Sequence, residues 1–185
     1  MSMRYALGWA LFALCAALAA YLFIYKSTSM SAFERVPAAA SSTVSSGHRI
    51  PPAGTKEYRS TKYYASLFYP ENLAVKTYDE GGGAATVTFQ DIETSQGFQI
   101  FITPYSGTQV TPERFRQDAP SGVIESPMDV TVGGIAARSF YGRDAFLGDT
   151  AEVWILYKGY LYEITAHKSQ AAWLSSILAS WQFAP

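Results

Sequence analysis

Apolar residues are concentrated in one uninterrupted run near the N-terminus. The run extends from Tyr5 to Tyr25, carries no charge over its 21 residues, and is flanked by one basic residue on each side. As a helix rising about 1.5 Å per residue it spans roughly 31 Å, which matches a bilayer hydrocarbon core of about 30 Å. The pattern predicts one transmembrane helix within an N-terminal membrane anchor, residues 1–26, that contacts the lipid bilayer through residues 5–25.

Two other interpretations of this run stay open. Ala17-Leu18-Ala19 resembles the cleavage site of a secretory signal peptide, which would be removed. A buried helix of a soluble domain is the second alternative, although the run is more uniformly apolar than such helices are. The short tail before the run favours an N-terminus inside the cytoplasm. We therefore expect a single-pass protein of the cell membrane with its soluble domain outside the cytoplasm.

Residues 27–57 form the next segment, which is rich in serine, threonine, alanine and proline and poor in large apolar residues. Such a segment buries too little surface to offset the entropy lost on ordering. It is predicted to be a flexible linker with an end-to-end distance of about 30 Å. His48 lies in it and is expected to be solvated. The remaining residues, 58–185, are predicted to form one folded domain.

The hydrophobic pattern of this domain changes to a period of two, which is typical of half-buried strands. Residues 85–90 alternate strictly between apolar and polar side chains, and Phe98, Ile100 and Ile102 repeat the apolar face with Gln99 and Thr103 opposite. Gly133-Gly134 separates two further runs of this kind and predicts a two-residue hairpin turn. Residues 153–157 are apolar on both faces, which predicts a central strand that is covered on both sides.

Two segments carry helix signals instead. Thr111 is a good N-cap before a proline at the first helical position, and this helix should end by Ala119. Ser169 is predicted to cap a second helix, whose apolar stripe should pack against the sheet: Trp173, Leu174, Ile177, Leu178 and Trp181. The fold class predicted is α+β, an antiparallel-rich sheet covered by helices.

Composition and motifs exclude several classes of function. A formal net charge of −1 gives no electrostatic attraction to nucleic acid, so no nucleic-acid partner is expected. The one cysteine, Cys15, lies in the apolar run, which excludes an intrachain disulfide and a cysteine-based zinc site. The chain lacks the G-x-S-x-G motif, and Gly81–Gly83 lacks the ending of a phosphate-binding loop. We therefore assign no catalytic residue, no metal ligand and no cofactor.

Three residues are candidate contacts for a ligand or partner. Phe146 and Leu147 are large apolar residues in a loop bounded by glycine and aspartate, where they either contact a partner or pack back onto the core. His167 follows the last predicted strand.

Glu163 and Arg138 lie within strands, and they should form an ion pair if they meet on a covered face.

Several phrases and their order resemble the PsbP-like superfamily. The matching phrases span most of residues 62–183: Leu67-Phe68-Tyr69-Pro70-Glu71-Asn72-Leu73-Ala74-Val75, Gly134-Ile135-Ala136-Ala137, Tyr160-Leu161-Tyr162-Glu163-Ile164-Thr165 and Ile177-Leu178-Ala179-Ser180-Trp181-Gln182-Phe183. Members of this family include an extrinsic photosystem II subunit, a Ran-binding nuclear protein and many bacterial domains. The resemblance implies an α/β/α sandwich and a role in binding or assembly rather than catalysis. It implies no photosynthetic or Ran-related role.

These observations lead to one functional hypothesis and two alternatives. The chain is expected to be a membrane-tethered, extracytoplasmic module that binds a ligand or an envelope protein. The first alternative is a cell-envelope enzyme, a hydrolase whose serine or carboxylate site is not visible in sequence spacing. The second is a subunit of a larger envelope complex in which the membrane helix itself makes contacts.

Overall fold

Strands outnumber helices along residues 49–184, the part of the chain that the computed structural model describes. The strands are β1 (Thr55–Ser60), β2 (Ala65–Pro70), β3 (Ala74–Gly81), β4 (Ala84–Asp91), β5 (Gln96–Pro104), β6 (Glu125–Val132), β7 (Ile135–Asp144), β8 (Gly148–Tyr157), β9 (Tyr160–His167) and β10 (Gln182–Phe183). The helices are α1 (Pro112–Asp118) and α2 (Ala171–Leu178), and a single 3-10 turn, Lys168–Gln170, precedes α2.

The predicted anchor, residues 1–26, its lipid contact through residues 5–25, and the linker as far as His48 lie outside the described residues. Within residues 49–184, no helix is long and apolar enough to cross a bilayer.

Two antiparallel sheets make up the framework. Seven strands form the large sheet in the order β3-β4-β5-β9-β8-β7-β6, and three form the small sheet in the order β1-β2-β10. The Gly133-Gly134 hairpin joins β6 to β7, as predicted. Strand β8 lies inside the large sheet, and its consecutive residues Val153, Trp154 and Ile155 are all buried, so the predicted central strand is confirmed. The α+β class with an antiparallel sheet is confirmed too.

The main core lies between one face of the large sheet and a layer made of the small sheet and α2. Tyr162 is fully buried there, and its hydroxyl donates a hydrogen bond of 2.6 Å to the carbonyl of Tyr63. Burial raises the pKa of this hydroxyl, which therefore stays protonated. Each large side chain buried in this layer contributes about 1.5–3 kcal/mol. One face is thus covered by strands as well as by a helix, where the prediction had helices alone.

The opposite face carries a smaller core beneath α1. Phe115 of α1 is buried against Phe140 and Trp154, at ring-centre distances of 5.7 and 5.1 Å. The predicted cap is present, because the backbone N–H of Arg114 donates to Thr111 Oγ1 at 3.2 Å. Helix α1 covers only part of this face, since it has seven residues.

The predicted start of α2 is wrong. Ser169 lies in the 3-10 turn, and the helix begins at Ala171 without a side-chain cap. The side chain of Gln170 turns away from the helix and binds the backbone of Gly97 and Ser95 instead, both at 3.1 Å. A tertiary contact therefore holds this end of the helix, where the sequence suggested a local one.

The folded domain begins earlier than the predicted boundary between residues 57 and 58. Strand β1 starts at Thr55, and Arg49 donates hydrogen bonds to the carbonyl of Ser180 at 2.5 Å and to Ser66 Oγ at 3.1 Å. The Arg49 guanidinium also lies 4.3 Å from the ring centre of Phe68. Residues 49–57 thus belong to the domain, because strand pairing and one arginine hold a segment whose composition resembles a linker.

Candidate functional site

A shallow depression lies at the end of the large sheet where β4, β7 and β9 finish. Its volume is about 270 Å³, just below the ~300–1,000 Å³ typical of ligand pockets. The lining comes from the β4–β5 turn, the β7–β8 turn and the end of β9: Gln90, Asp91, Ile92, Ser95, Gln96, Gly97, Phe98, Gln99, Leu147, Thr165, Ala166 and His167. The fold therefore brings together two of the three predicted contact residues, Leu147 and His167.

The β7–β8 turn presents the third predicted residue, Phe146, beside the depression. The carboxylate of Asp144 accepts hydrogen bonds from the backbone N–H groups of Phe146 and Leu147, at 2.7 and 2.8 Å. Phe146 is 80% exposed, whereas Leu147 is half-buried in the lining. Phe146 is therefore exposed, as a residue that contacts a partner must be, whereas Leu147 packs partly against the protein.

The β4–β5 turn forms the opposite rim. The carboxylate of Asp91 accepts from the side chain of Asn72 and from the backbone N–H of Glu93, both at 2.9 Å, and the bond from Asn72 lowers the pKa of Asp91. This turn exposes Ile92, which is 85% accessible. Sequence reasoning missed Ile92 because a lone apolar residue in a polar turn carries no periodic signal.

His167 shares the depression with Ser95 and Asp91, the residue types of a hydrolytic triad. A working triad needs a hydrogen bond from serine to histidine and another from histidine to the acid. In the part of the chain that the structure describes, no side-chain hydrogen bond joins His167 to either residue, and Asn72 already occupies the carboxylate of Asp91. These three residues therefore do not form a hydrogen-bonded triad within the described residues.

A second polar cluster is buried beneath α1. Glu163 of β9 is 7% exposed, and its carboxyl group is hydrogen-bonded to Asp118 of α1. Burial, followed by the nearby Asp118 carboxylate, raises the pKa of Glu163 to about 9, so Glu163 is protonated at neutral pH and donates to Asp118. Arg114 forms an ion pair with Asp118 and lies 3.7 Å from Glu163.

Glu152 continues this polar strip towards the depression. Its carboxylate accepts a 2.8 Å hydrogen bond from Thr165 Oγ1, and burial raises its pKa. Thr165 lines the depression itself. Among residues 49–184, no three histidine, cysteine or acidic side chains are arranged to hold a metal ion.

Glu163 and Arg138, which were expected to form an ion pair if they met on a covered face, do not meet. The two residues face the same side of the sheet, but Trp154 of β8 lies between them in the same cross-strand row. Two strand spacings amount to about 10 Å, which is too far for an ion pair. Arg138 pairs with Asp129 of the neighbouring strand instead.

Comparison with known proteins identifies the fold. No protein-family model matches the chain, and no curated protein matches it in sequence. Among solved structures, the chain is similar to the solution structure of cyanobacterial PsbP (CyanoP) from Synechocystis sp. PCC 6803. The two share 15% sequence identity and superpose with a TM-score of 0.51, over 75% of this chain and 98% of that one. The predicted resemblance is thus confirmed at the level of the fold, and residues 49–184 adopt a PsbP-like fold.

Proposed function

We propose that this chain is a membrane-tethered, extracytoplasmic binding module that uses the depression and its two rims to hold a protein partner. One observation carries the proposal: two turns that are distant in sequence expose Ile92 and Phe146 at the same end of the sheet, next to the depression. Exposed large apolar residues grouped around a concave surface are typical of interaction sites.

The shape of the depression favours a protein over an enclosed small molecule. Its volume of about 270 Å³ is too small and open to bury most of a typical ligand. Its floor presents neutral amide and hydroxyl groups, including Gln99 and Thr165, which suit the polar backbone of a partner. Such polar groups next to the exposed side chains of Ile92 and Phe146 offer both hydrogen bonds and apolar contacts to a protein partner.

Site-specific photocrosslinking tests this site in the native host. A photoreactive benzoyl-phenylalanine replaces Phe146 in the full chain, and a matched variant carries it at Met128, which is 55% exposed on β6. We expect a discrete protein adduct from position 146 only, and we expect Ile92→Asp to abolish it. Equal adducts at both positions, or an adduct that is insensitive to Ile92→Asp, would contradict the proposal.

Membrane placement is a separate part of the proposal and has a separate test. It is supported by the uncharged run from Tyr5 to Tyr25, whose length suits a bilayer. A topology reporter fused after Pro185 should be active outside the cytoplasm. Reporter activity inside the cytoplasm would reject this placement without affecting the binding site.

The observation that favours a hydrolase instead is the presence of Ser95, Asp91 and His167 in one depression. A hydrolase would lose activity towards ester or amide substrates on Ser95→Ala, whereas a binding module would keep its photocrosslinked adduct. Ser95→Ala, which removes a single hydroxyl group, therefore distinguishes a hydrolase from a binding module.

A further inference from the structure

The end of the large sheet opposite the depression carries lysines and tyrosines. Strand β8 ends at Tyr157 and β9 begins at Tyr160, whereas the depression lies where β9 finishes at His167. At about 3.4 Å per residue, β9 separates the two ends by roughly 24 Å. The β8–β9 turn meets the β1–β2 turn here, and we call this region the basic-aromatic end. It consists of Lys62, Tyr64, Tyr157, Lys158 and Tyr160.

Neither lysine of the basic-aromatic end is neutralised by an ion pair within residues 49–184. The ammonium group of Lys158 lies 4.7 Å from the ring centre of Tyr64. The ammonium group of Lys62 lies 4.8 Å from the ring centre of Tyr63. A hydrogen bond with Tyr63, followed by the charge of Asp79, raises the pKa of Lys62, which therefore stays charged. Both lysines are exposed, so two positive charges are available to an anionic surface.

Lys158 occupies a turn position that its side chain disfavours. The β8–β9 hairpin has two central residues, Lys158 and Gly159, whose φ angles are +45° and +78°. Turns with two positive φ angles prefer asparagine, aspartate or glycine at the first position, because a longer side chain is strained there. Tyr64, which the Lys158 ammonium group contacts, is strained in the same way with a φ of +51°. Backbone strain at two residues in contact is typical of a functional surface.

Tyrosine and lysine together are the residue types that suit the interface between a membrane and water. Tyr64, Tyr157 and Tyr160 are half-buried, so each presents part of its side chain to solvent. At a bilayer surface the amphipathic ring of tyrosine lies at the level of the lipid headgroups. Lysine beside it is attracted to anionic lipids. The composition and the charge of the basic-aromatic end therefore match an anionic lipid surface.

The described part of the chain begins close to this end of the domain. Arg49 donates a hydrogen bond to Ser66 Oγ, and Ser66 follows Tyr64 by two residues. The predicted anchor ends at residue 26, so the predicted linker before Arg49 consists of residues 27–48. A flexible chain of that length has an end-to-end distance of about 26 Å. A bilayer that holds the anchor is therefore always within reach of the basic-aromatic end, and weak contacts suffice for docking.

We propose that the basic-aromatic end is a membrane-docking surface that rests on the anionic headgroups of the bilayer to which the chain is tethered. This inference rests on the membrane placement proposed above and adds an orientation to it. When Lys158 and Tyr64 contact the headgroups, the depression at the other end of β9 faces away from the bilayer. Ile92 and Phe146 are then presented to a protein partner instead of being buried against lipid.

Fluorescence quenching by lipid tests this orientation in the full chain, reconstituted into vesicles. Cys15, the one native cysteine, is replaced by serine, and a fluorophore is attached at Thr61→Cys in the β1–β2 turn or at Glu93→Cys beside the depression; both positions are exposed. The vesicles contain equal parts of phosphatidylcholine and phosphatidylglycerol, with a trace of lipid that carries a nitroxide on its headgroup. We expect quenching at position 61 and none at position 93. Equal quenching at both positions, or equal quenching at position 61 in pure phosphatidylcholine, would overturn the proposal.

The variant Lys158→Asn separates docking from folding. Asparagine suits the positive φ of this turn, so the melting temperature should be no lower than that of the wild type. Removal of one lysine from an anionic surface should lower the ratio of docked to undocked domain about fivefold, with a matching loss of quenching at position 61. Lys76→Asn, at an exposed position on β3, makes the same change in charge and should leave quenching unchanged. Wild-type quenching in Lys158→Asn, or an equal loss in both variants, would refute docking through this end.

Failure of the membrane anchor and failure of the docking surface give different results. Flotation of the chain with pure phosphatidylcholine vesicles reports the anchor, because neutral lipid offers no charge to the two lysines. A chain that floats with these vesicles but shows no quenching at position 61 in anionic vesicles would reject the docking surface and leave the membrane placement intact. A chain that does not float with neutral vesicles would reject the placement, and the tethered docking with it.

Discussion

The protonated carboxyl group of Glu163 makes the stability of this domain depend on pH in an unusual direction. The folded domain holds a proton on Glu163 up to a pKa of about 9, whereas the ordinary pKa of glutamate is 4.5. The folded state thus binds more protons than the unfolded state between these values, and stability must fall as pH rises. The stabilising effect is fully present below pH 4.5 and is lost as pH rises through about 9.

The magnitude follows from the same two values. From 4.5 to pH 7 is 2.5 pH units, and each unit corresponds to about 1.4 kcal/mol. Keeping Glu163 protonated therefore costs the folded domain on the order of 3 kcal/mol at pH 7. Glu163→Gln removes this titration and keeps a neutral group that donates to Asp118. We expect it to stabilise the domain at pH 7 by up to about 3 kcal/mol, with little change at pH 4.5.

Urea denaturation of the full chain, followed by tryptophan fluorescence at several pH values, measures this difference. Trp154 lies directly opposite Glu163 on the neighbouring strand, so its emission should report unfolding around the site. Glu71→Gln, at an exposed position, serves as the matched control and should leave the pH profile unchanged. Parallel pH profiles for the wild type and Glu163→Gln would refute the reasoning, because they would show that this carboxyl group ionises equally in both states.

Three further predictions concern the fold. Phe115→Ala should cost roughly 3–5 kcal/mol in urea denaturation, because it empties the small core under α1. Thr111→Ala should cost about 1 kcal/mol through loss of the N-cap, whereas Ser169→Ala should be nearly neutral because Ser169 caps no helix; equal costs would contradict the observed caps. Gly133→Ala should lower the melting temperature more than Gly134→Ala. Both glycines have positive φ, but only at Gly133 does an added Cβ come within 3.0 Å of a core side chain.

Short sequence motifs were sufficient to predict the start of α1 and the hairpin between β6 and β7, because both depend on interactions between residues that are close in the chain. The threonine and proline at Thr111-Pro112 mark the start of α1, since capping and a fixed φ act within one turn. Gly133-Gly134 marks a hairpin because both residues need positive φ. The start of α2 was misplaced for the complementary reason: Gln170 is held by the distant residues Ser95 and Gly97, a contact without a local pattern.

The candidate site was only partly predictable. Phe146 and Leu147 could be singled out because two adjacent large apolar residues in a polar loop are unusual, and His167 because it ends a strand. That Leu147 and His167 line one depression with Ile92 depends on which strands are neighbours. The partners of Glu163 could not be predicted, because Trp154 separates it from Arg138 and α1 supplies Arg114 and Asp118 from the next layer.

The sequence by itself determined most of the strands of the large sheet, the start of α1, which side of each alternating strand is buried, and the order of elements that resembles a PsbP-like domain. A period of two fixes the face of a strand, since alternate side chains point to opposite sides. It carries no information about which strands become neighbours or which stay at an edge. Only the tertiary structure decided that two remote turns meet around a depression, that Glu163 is protonated beneath α1, and that β3 keeps an open edge. Each of these depends on contacts between residues far apart in the chain, whose geometry arises only when the layers pack.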